Sequence, residues 1–211
     1  TQGVERMRVL VACEYSGRVR EAFRAKGHDA WSCDLLPADD DSEYHIQGDA
    51  LAAIEAGPWD LMIAPPPCTY MANSGVSWLH KDPSRWDRLD EAAVFFSALL
   101  DADIPRVAVE NPIPHKYAVE RIGGRKYTQI IQPWQFGHME TKATCLWLRG
   151  LDPLVPVTDL KAETMALPAK IRGRLHWLGP SADRWKIRST TFQGIADAMA
   201  EQWGGPEADW L

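Results

Sequence analysis

Residues 7–34 read MRVLVACEYSGRVREAFRAKGHDAWSCD, and their apolar pattern indicates a strand, a helix and a second strand. Residues 7–13 are short and apolar, which is typical of a buried strand. Residues 18–26 carry apolar side chains at helical spacing, and a glycine follows them as a C-terminal cap. Residues 29–33 form the next apolar run, which ends at Asp34. This order predicts an α/β fold with parallel strands.

The rest of the chain continues the alternation of strands and helices. Further strands are predicted at 59–63, 106–109, 129–134 and 143–148, and further helices at 50–56, 85–100 and 190–203. Polar residues predict loops at 37–47 and 69–82, and prolines predict irregular backbone after residue 150. Together these elements predict a doubly wound, mostly parallel sheet of the Rossmann-like kind.

The composition is that of an ordinary globular protein, since 45% of the 211 residues are hydrophobic and 25% are charged. No apolar stretch approaches the roughly 20 residues of a membrane helix, and no secretory signal is recognisable. We therefore expect a cytoplasmic protein without a membrane partner. The four cysteines lack CxxC spacing and a nearby histidine, so we expect no metal site and free thiols in a reducing compartment.

Two chemically active side chains follow separate apolar runs. Cys68 comes after the strand at 59–63 and the segment Ala-Pro-Pro-Pro, and Glu110 comes directly after the strand at 106–109. Ligands of open α/β sheets bind outside the carboxyl ends of the strands. If the two strands are neighbours, the thiol and the carboxyl group face one pocket. A soft nucleophile opposite a proton donor suits attack on an electron-poor ring that is protonated at its far side.

The residues around Cys68 resemble a known family. Pro66 and Pro67 precede the cysteine, and Ser74 and Gly75 follow it. This pattern is similar to that of S-adenosylmethionine-dependent cytosine C5 DNA methyltransferases, above all their short phage-type members. The resemblance implies that Cys68 attacks C6 of cytosine, that Pro66 lies beside the cofactor, and that Ser74 belongs to a substrate-binding loop that closes over the base. Taken alone, the segment also fits a buried structural thiol after a rigid proline-rich turn.

Glu110 and Asn111 resemble the Glu-Asn pair of the same family. The resemblance implies that the Glu110 carboxyl group contacts N3 and the exocyclic amine of cytosine, with Asn111 beside it in the catalytic site. A proton supplied at N3 makes C6 more electrophilic, which requires a carboxyl pKa that a dry pocket has raised. A helix or turn cap is the alternative interpretation of a Glu-Asn-Pro segment.

Weaker similarities concern the cofactor, which the resemblance implies to be S-adenosyl-L-methionine. The implied contacts are Tyr15, Ser16, Gly17, Asp34, Asp49 and Gly194. Asp34 corresponds to the acid that takes the ribose hydroxyls, and Asp49 to the acid near the adenine amine. Each aspartate alone also fits a loop acid or a helix cap. Arg18 stands where the family usually has a further glycine, which leaves the geometry at the methionine end open.

Two cations are expected near the base. A Phe-Gly turn at 136–137 precedes Lys142 and Thr144, which take the places of two family arginines. The resemblance implies that Lys142 belongs to the catalytic site and that Lys142 and Arg188 bind and steer the substrate. A lysine supplies charge without the planar fork of arginine. Lys142 equally fits an ordinary solvated lysine.

The resemblance divides the chain into three parts. Residues 7–150 form the catalytic and cofactor-binding core, 151–189 a short basic insert in place of a target-recognition domain, and 190–205 a helix that returns to the core. The insert is too short for a core of its own. It interleaves Trp177 and Trp185 with basic residues, which fits either a nucleic-acid contact or a solvated surface.

The expected partner is DNA, in the cytoplasm of a bacterial host cell. Because the insert is short, three alternatives stay open: relaxed specificity, help from a second subunit in a homodimer, or a single-stranded or nucleotide substrate. Departures from the family at Arg18, Thr144 and Ile195 leave open two further readings. One is a carboxylated S-adenosylmethionine or a nucleotide acceptor, and the other is a catalytically inactive nucleic-acid-binding module.

Overall fold

The apolar runs pair into one mixed sheet. A computed structural model describes residues 5–205, and within that range the sheet contains seven strands: β1 (Arg8–Ala12), β2 (Asp29–Asp34), β3 (His45–Gln47), β4 (Leu61–Ala64), β5 (Arg106–Pro112), β6 (Gln129–Ile131) and β7 (Thr144–Arg149). Their order is β3-β2-β1-β4-β5-β7-β6, with parallel pairing except at β7, which is antiparallel to β5 and β6. The prediction of a doubly wound, mostly parallel, Rossmann-like sheet is confirmed.

Helices cover both faces of this sheet. Within the described range they are α1 (Arg18–Ala25), α2 (Ala50–Glu55), α3 (Ser84–Leu100), α4 (Lys116–Arg121), α5 (Lys161–Ala166), α6 (Ala169–Arg172), α7 (Arg174–Trp177), α8 (Arg184–Ser189) and α9 (Gln193–Trp203). Strand β1 is buried on both sides: Val9 and Val11 pack in the apolar layer that contains α1 and α9, and Leu10 packs in the layer that contains α2 and α3. Burial on two faces explains why the strands read as continuous apolar runs.

The prediction of a loop over all of 37–47 is wrong at its last three residues, which form the edge strand β3. This strand pairs parallel with β2, with Ser32 opposite His45. The ring nitrogens of His45 lie 2.8 Å from Ser32 Oγ and 2.8 Å from the carbonyl oxygen of Leu36. An edge strand held by polar contacts carries no apolar pattern, and the sequence therefore does not reveal it.

Strand β5 runs further than its apolar residues predict. Antiparallel β7 pairs with it as far as Pro112, which lies opposite Thr144. Glu110 and Asn111 therefore lie within a paired strand and not after its end. Because β7 is antiparallel, its first residue lies at the same sheet edge as the carboxyl ends of β4 and β5.

Several short helices lie where the sequence predicts a loop or irregular backbone. They are the 3-10 helix Asn73–Trp78 and the four helices α5 to α8 of the insert, and α4 lies in a segment for which the sequence predicts no element. A second 3-10 helix, Pro133–Phe136, follows β6, so the strand predicted at 129–134 ends at Ile131. Helices this short are unstable alone and depend on caps and tertiary contacts. At the start of α4, for example, His115 Nδ1 accepts a hydrogen bond from the Ala118 N–H at 3.0 Å.

Two findings apply to the described part of the chain. None of its helices is both long enough and apolar enough to cross a lipid bilayer. Its His, Cys, Asp and Glu side chains also do not assemble in groups of three or more that could hold a metal ion. The division at residues 150 and 189 stays a prediction.

The packing of α9 on Pro133–Phe136 requires a residue without a Cβ at position 194. A Cβ there would lie 1.9 Å from the carbonyl oxygen of Phe136. We expect Gly194→Ala to lower the free energy of unfolding by about 1–3 kcal/mol, as overpacking does, in urea denaturation. Gly48→Ala is the matched control, because nothing lies within 4 Å of the added Cβ, and its change should stay below about 1 kcal/mol. Equal stabilities for the two variants would contradict this packing.

Candidate active site

The thiol and the carboxyl group come from adjacent strands. Strands β4 and β5 pair parallel, with Ala64 opposite Val109. Glu110 is the next residue of β5, and Cys68 follows β4 after the three prolines. Both groups therefore lie at the carboxyl end of the parallel sheet, where ligands of such folds bind.

The side chain of Asn111 ties the proline turn to β5. Its Nδ2 donates a hydrogen bond to the carbonyl oxygen of Pro66 at 3.1 Å. Both Asn111 and Pro66 are buried. Among the described residues, Asn111 Oδ1 has no hydrogen-bond partner. This contact sets the position of Cys68, two residues further along, relative to Glu110.

The charges of three predicted site residues act on the Cys68 thiol. Burial raises the pKa of the Cys68 thiol, Lys142 and Arg188 act against that shift, and the Glu110 carboxylate adds to it. Burial also raises the pKa of Glu110, with Lys142 opposing. The site therefore holds a thiol and a carboxyl group that both favour their neutral forms, beside two cations that favour the thiolate.

Lys142 and Arg188 are joined by a direct contact. Lys142 Nζ donates to the backbone carbonyl oxygen of Arg188 at 2.9 Å, while the Lys142 N–H donates to Gln132 Oε1 at 3.0 Å. Thr144, in the place of a family arginine, is buried, and its hydroxyl donates to the Lys142 carbonyl oxygen at 3.2 Å. The second cation near Cys68 is thus supplied by Arg188 of α8 and not by position 144.

Ser74 is not brought into this group of charges. It is exposed in the 3-10 helix Asn73–Trp78, and among the described residues its hydroxyl makes no hydrogen bond. The loop that carries it is anchored at its start, where the N–H of Ala72 donates to the Cys68 carbonyl oxygen at 3.0 Å and the N–H of Asn73 to that of Ile113 at 2.8 Å. Ser74 stays a predicted substrate contact of this loop.

A cavity lies at the carboxyl end of β1, beside the proline turn. It is small, with a volume of about 20 Å³, and is lined by Cys13, Glu14, Tyr15, Ser16, Pro65, Ser189, Thr190 and Thr191. Gly17 ends the turn with φ of +73°, a left-handed conformation that glycine adopts without strain. Three of the predicted cofactor contacts, at positions 15 to 17, therefore line or close this cavity.

Glu14 is a buried acid of this turn that sequence reasoning missed. Its carboxylate accepts hydrogen bonds from the N–H groups of Val19 at 2.8 Å and Arg20 at 3.2 Å, and from the Ser16 hydroxyl at 3.3 Å. Burial raises the pKa of Glu14, and these backbone donors act against the rise. The first turn of α1 is thus capped by an internal carboxyl group. The sequence does contain a signal for this residue, because Glu14 is an acid between an apolar strand and the start of a helix.

Asp34 and Asp49 lie near the same cavity. Both carboxylates raise the pKa of the Cys13 thiol, although burial is the larger cause. Asp34 Oδ1 accepts the N–H of Leu36 at 2.9 Å. Asp49 Oδ1 caps α2 by accepting hydrogen bonds from the N–H groups of Leu51 and Ala52. Asp49 is therefore a helix cap and also lies near the cavity.

Two acidic residues at and near this cavity suit parts of S-adenosylmethionine. Asp34 offers a carboxylate at the end of β2, which is the usual acceptor for ribose hydroxyls. Glu14 places a buried carboxyl group in the cavity wall, which can accept a hydrogen bond from an ammonium group. Gly194 is placed differently: its N–H donates to His138 Nε2 at 3.0 Å, and it does not line the cavity.

Helix α8 covers one side of the cavity and contacts both parts of the site. The Tyr15 hydroxyl lies 2.8 Å from Ser189 Oγ and donates to the Lys186 carbonyl oxygen at 3.0 Å. The Tyr15 and Trp185 rings lie 5.6 Å apart, and Lys186 Nζ is 3.1 Å from Asp39. The same helix carries the cation of position 188 to the thiol. No pattern in the sequence signals these contacts.

Comparisons with known proteins find similarity of fold only. No family model matches the sequence, and no curated protein does. Among solved structures, a prophage protein of Escherichia coli, described as a candidate DNA modification methyltransferase, is similar over 77% of this chain and 55% of its own, with 16% identity and a TM-score of 0.48. The Entamoeba histolytica methyltransferase EhMeth is similar over 74% of this chain and 58% of its own, with 14% identity and a TM-score of 0.45. The chain thus spans just over half the length of these structures, and likenesses this distant assign neither an activity nor residue roles.

Proposed function

We propose that this protein is a DNA cytosine C5 methyltransferase that uses S-adenosyl-L-methionine. One observation carries the proposal. Cys68 and Glu110 come from adjacent parallel strands, and the charge of Lys142 acts on both of them. A nucleophile and a raised-pKa acid at one sheet edge form the pair that addition to a pyrimidine ring needs.

In the proposed reaction, the Cys68 sulfur forms a bond to C6 of cytosine while Glu110 delivers its proton to N3. The electron pair of the C5–C6 double bond then becomes available at C5. The cofactor supplies the electrophilic methyl group that C5 takes up. The transfer would leave S-adenosylhomocysteine, and N3 returns its proton to the Glu110 carboxylate. Loss of the C5 proton to a water molecule afterwards expels the Cys68 thiolate and restores the double bond.

The electrostatics support this division of roles. A carboxyl group with a raised pKa keeps its proton to a higher pH than an ordinary carboxyl group, and burial raises the pKa of Glu110, with Lys142 opposing. Burial alone would keep Cys68 protonated, but Lys142 and Arg188 act against that shift. In the proposal, these two cations stabilise the thiolate and also attract the phosphates of the substrate.

The proposed cofactor roles follow the cavity. Asp34 binds the ribose hydroxyls, the buried carboxylate of Glu14 faces the cationic end, and Tyr15 with Ser16 forms the wall. Asp49 approaches the adenine amine with the carboxylate oxygen that does not cap α2. The proposed site thus holds the cofactor and the base on either side of the proline turn.

Cys68→Ser should abolish methyl transfer to DNA while cofactor binding is retained, because a hydroxyl is a far weaker nucleophile than a thiolate. The measurements are mass spectrometry of nucleosides for transfer and calorimetry with S-adenosylhomocysteine for binding. Cys145→Ala removes a different buried thiol and should retain transfer. DNA containing 5-fluorocytosine should form a covalent adduct with the wild type only. Normal turnover of Cys68→Ser would refute the mechanism, and no adduct with the wild type would favour an inactive binding module.

Glu110→Gln should lower kcat/KM about 100- to 10,000-fold, because an amide cannot deliver the proton to N3. The pH dependence is the sharper readout. In the wild type, the active form has Glu110 protonated and Cys68 deprotonated. Between the two raised pKa values, rising pH creates thiolate as fast as it removes the Glu110 proton, so kcat/KM does not change with pH. At pH values below the pKa of Glu110 or above the pKa of Cys68, kcat/KM decreases. In Glu110→Gln, only the thiol titrates, and residual kcat/KM should rise about tenfold per pH unit below the thiol pKa.

The control for this profile is Glu120→Gln, which changes an exposed acid of α4 and should keep the flat wild-type form. A flat profile in Glu110→Gln would contradict the assignment of Glu110 as the proton donor.

Asp34→Ala should weaken binding of S-adenosylhomocysteine about 10- to 100-fold in calorimetry, because two charge-assisted hydrogen bonds to the ribose are lost. Asp29→Ala is the matched control: it removes the same side chain from the other end of β2, away from the cavity, and should leave the dissociation constant unchanged. Equal affinities for Asp34→Ala and the wild type would remove Asp34 from the cofactor site.

A further inference from the structure

We propose that the protein binds an unpaired nucleic-acid strand on three exposed tryptophans, each paired with a lysine, that lie on the loop after Cys68 and on the insert. The pairs are Trp78 with Lys81, Trp177 with Lys170, and Trp185 with Lys186. We call these six residues the tryptophan–lysine face. This inference rests on the proposed function for the identity of the reacting base, but not for binding of the strand.

The first part of the face lies on the loop that follows Cys68. Trp78 is 54% exposed at the end of the 3-10 helix Asn73–Trp78. The Lys81 ammonium group lies 4.8 Å from the centroid of its ring. A large aromatic ring left in solvent, with a cation beside it, is a typical platform for stacking of a nucleic-acid base next to a phosphate.

The second part lies on the insert, and three contacts hold it at the same sheet edge. The Thr141 N–H donates to the Arg172 carbonyl oxygen at 2.7 Å, Arg174 pairs with Glu140 at 2.9 Å, and Lys142 donates to α8. The segment 140–142 precedes β7, whose first residue lies at the carboxyl end of β4 and β5. Trp177 lies on α7 and is 56% exposed, and Trp185 lies on α8 and is 50% exposed. Both helices are anchored by these contacts.

The charge of these segments complements a phosphate backbone. Residues 69–82, 138–145 and 161–190 together carry nine Lys and Arg residues against four Asp and Glu residues, although the chain as a whole has a net charge of −6. Positive charge is therefore concentrated in these segments, and the excess negative charge lies elsewhere in the chain. Such a distribution directs a polyanion to this edge of the sheet.

An unpaired strand fits this face better than a duplex. Stacking on tryptophan uses the flat faces of bases, which neighbouring base pairs cover in a duplex. Reading a duplex requires an element that enters a groove, whereas helices α5 to α8 of the insert are four to six residues long. A duplex base would also have to be extruded before Cys68 could reach it, and an unpaired base needs no extrusion.

Fluorescence anisotropy with a labelled twelve-nucleotide oligo(dT) tests the face without any cytosine chemistry. We expect the wild type to bind oligo(dT) at least tenfold more tightly than a dA·dT duplex of the same length. Trp78→Ala and Trp177→Ala should each weaken oligo(dT) binding about tenfold, as loss of one stacked base does. Trp78→Phe and Trp177→Phe should retain most of the affinity, which a purely structural role would not predict.

Salt dependence and a matched control complete the test. Lys170→Gln should reduce the slope of log Kd against log salt by about 0.7, the value for one phosphate contact of a single strand. Val94→Ala, at an exposed apolar residue of α3, should leave binding unchanged. Equal or tighter binding of the duplex, no binding of oligo(dT), or wild-type affinity in both Trp→Ala variants would overturn the inference.

The experiments distinguish failure of strand binding by the tryptophan–lysine face from failure of the proposed methyl transfer. Oligo(dT) binding that depends on the tryptophans, without methyl transfer to any cytosine, would support the face and remove the methyltransferase proposal. Methyl transfer to duplex cytosine that is unaffected by Trp78→Ala and Trp177→Ala would do the reverse.

Discussion

Parallel pairing of β4 with β5 fixes the relation between the thiol and the carboxyl group of the candidate site. The register places Ala64 opposite Val109, and the amide of Asn111 holds the proline turn through the carbonyl oxygen of Pro66. Prolines restrict φ and leave the turn few alternative conformations. One hydrogen bond between buried groups is therefore enough to determine where Cys68 stands relative to Glu110. Lys142 precedes the antiparallel strand β7 and so lies at the same edge, where its charge acts on both groups.

The electrostatic arrangement follows from burial as much as from charge. Burial raises the pKa of Cys68 and of Glu110, and burial also raises that of Glu14, where backbone donors of α1 act against it. Each buried acid is accompanied by a compensating group: Lys142 for Glu110, and the first turn of α1 for Glu14. Because an uncompensated buried charge is costly, these partners stabilise the fold and also set the protonation states that the proposed chemistry requires.

The sheet could be predicted from the sequence because strands buried on both faces leave continuous apolar runs, as at Val9 and Leu10 of β1. The placement of Cys68 and Glu110 at the same end of the sheet was also predictable, since the carboxyl ends of parallel strands lie at one edge. Strand β3 and helix α4 were not, because polar contacts such as those of His45 hold them and leave no periodic signal. The part played by α8 was equally hidden: Tyr15 reaches it across more than 170 positions of the chain, and no local pattern encodes such a contact.

Helix α8 links the two halves of the candidate site. Lys186 and Ser189 of this helix contact Tyr15 at the cavity, and the charge of Arg188 acts on the Cys68 thiol. The carbonyl oxygen of Arg188 also accepts the hydrogen bond from Lys142. Because a helix of six residues moves as a unit, a displacement of the helix at Tyr15 would also change the position of that carbonyl oxygen.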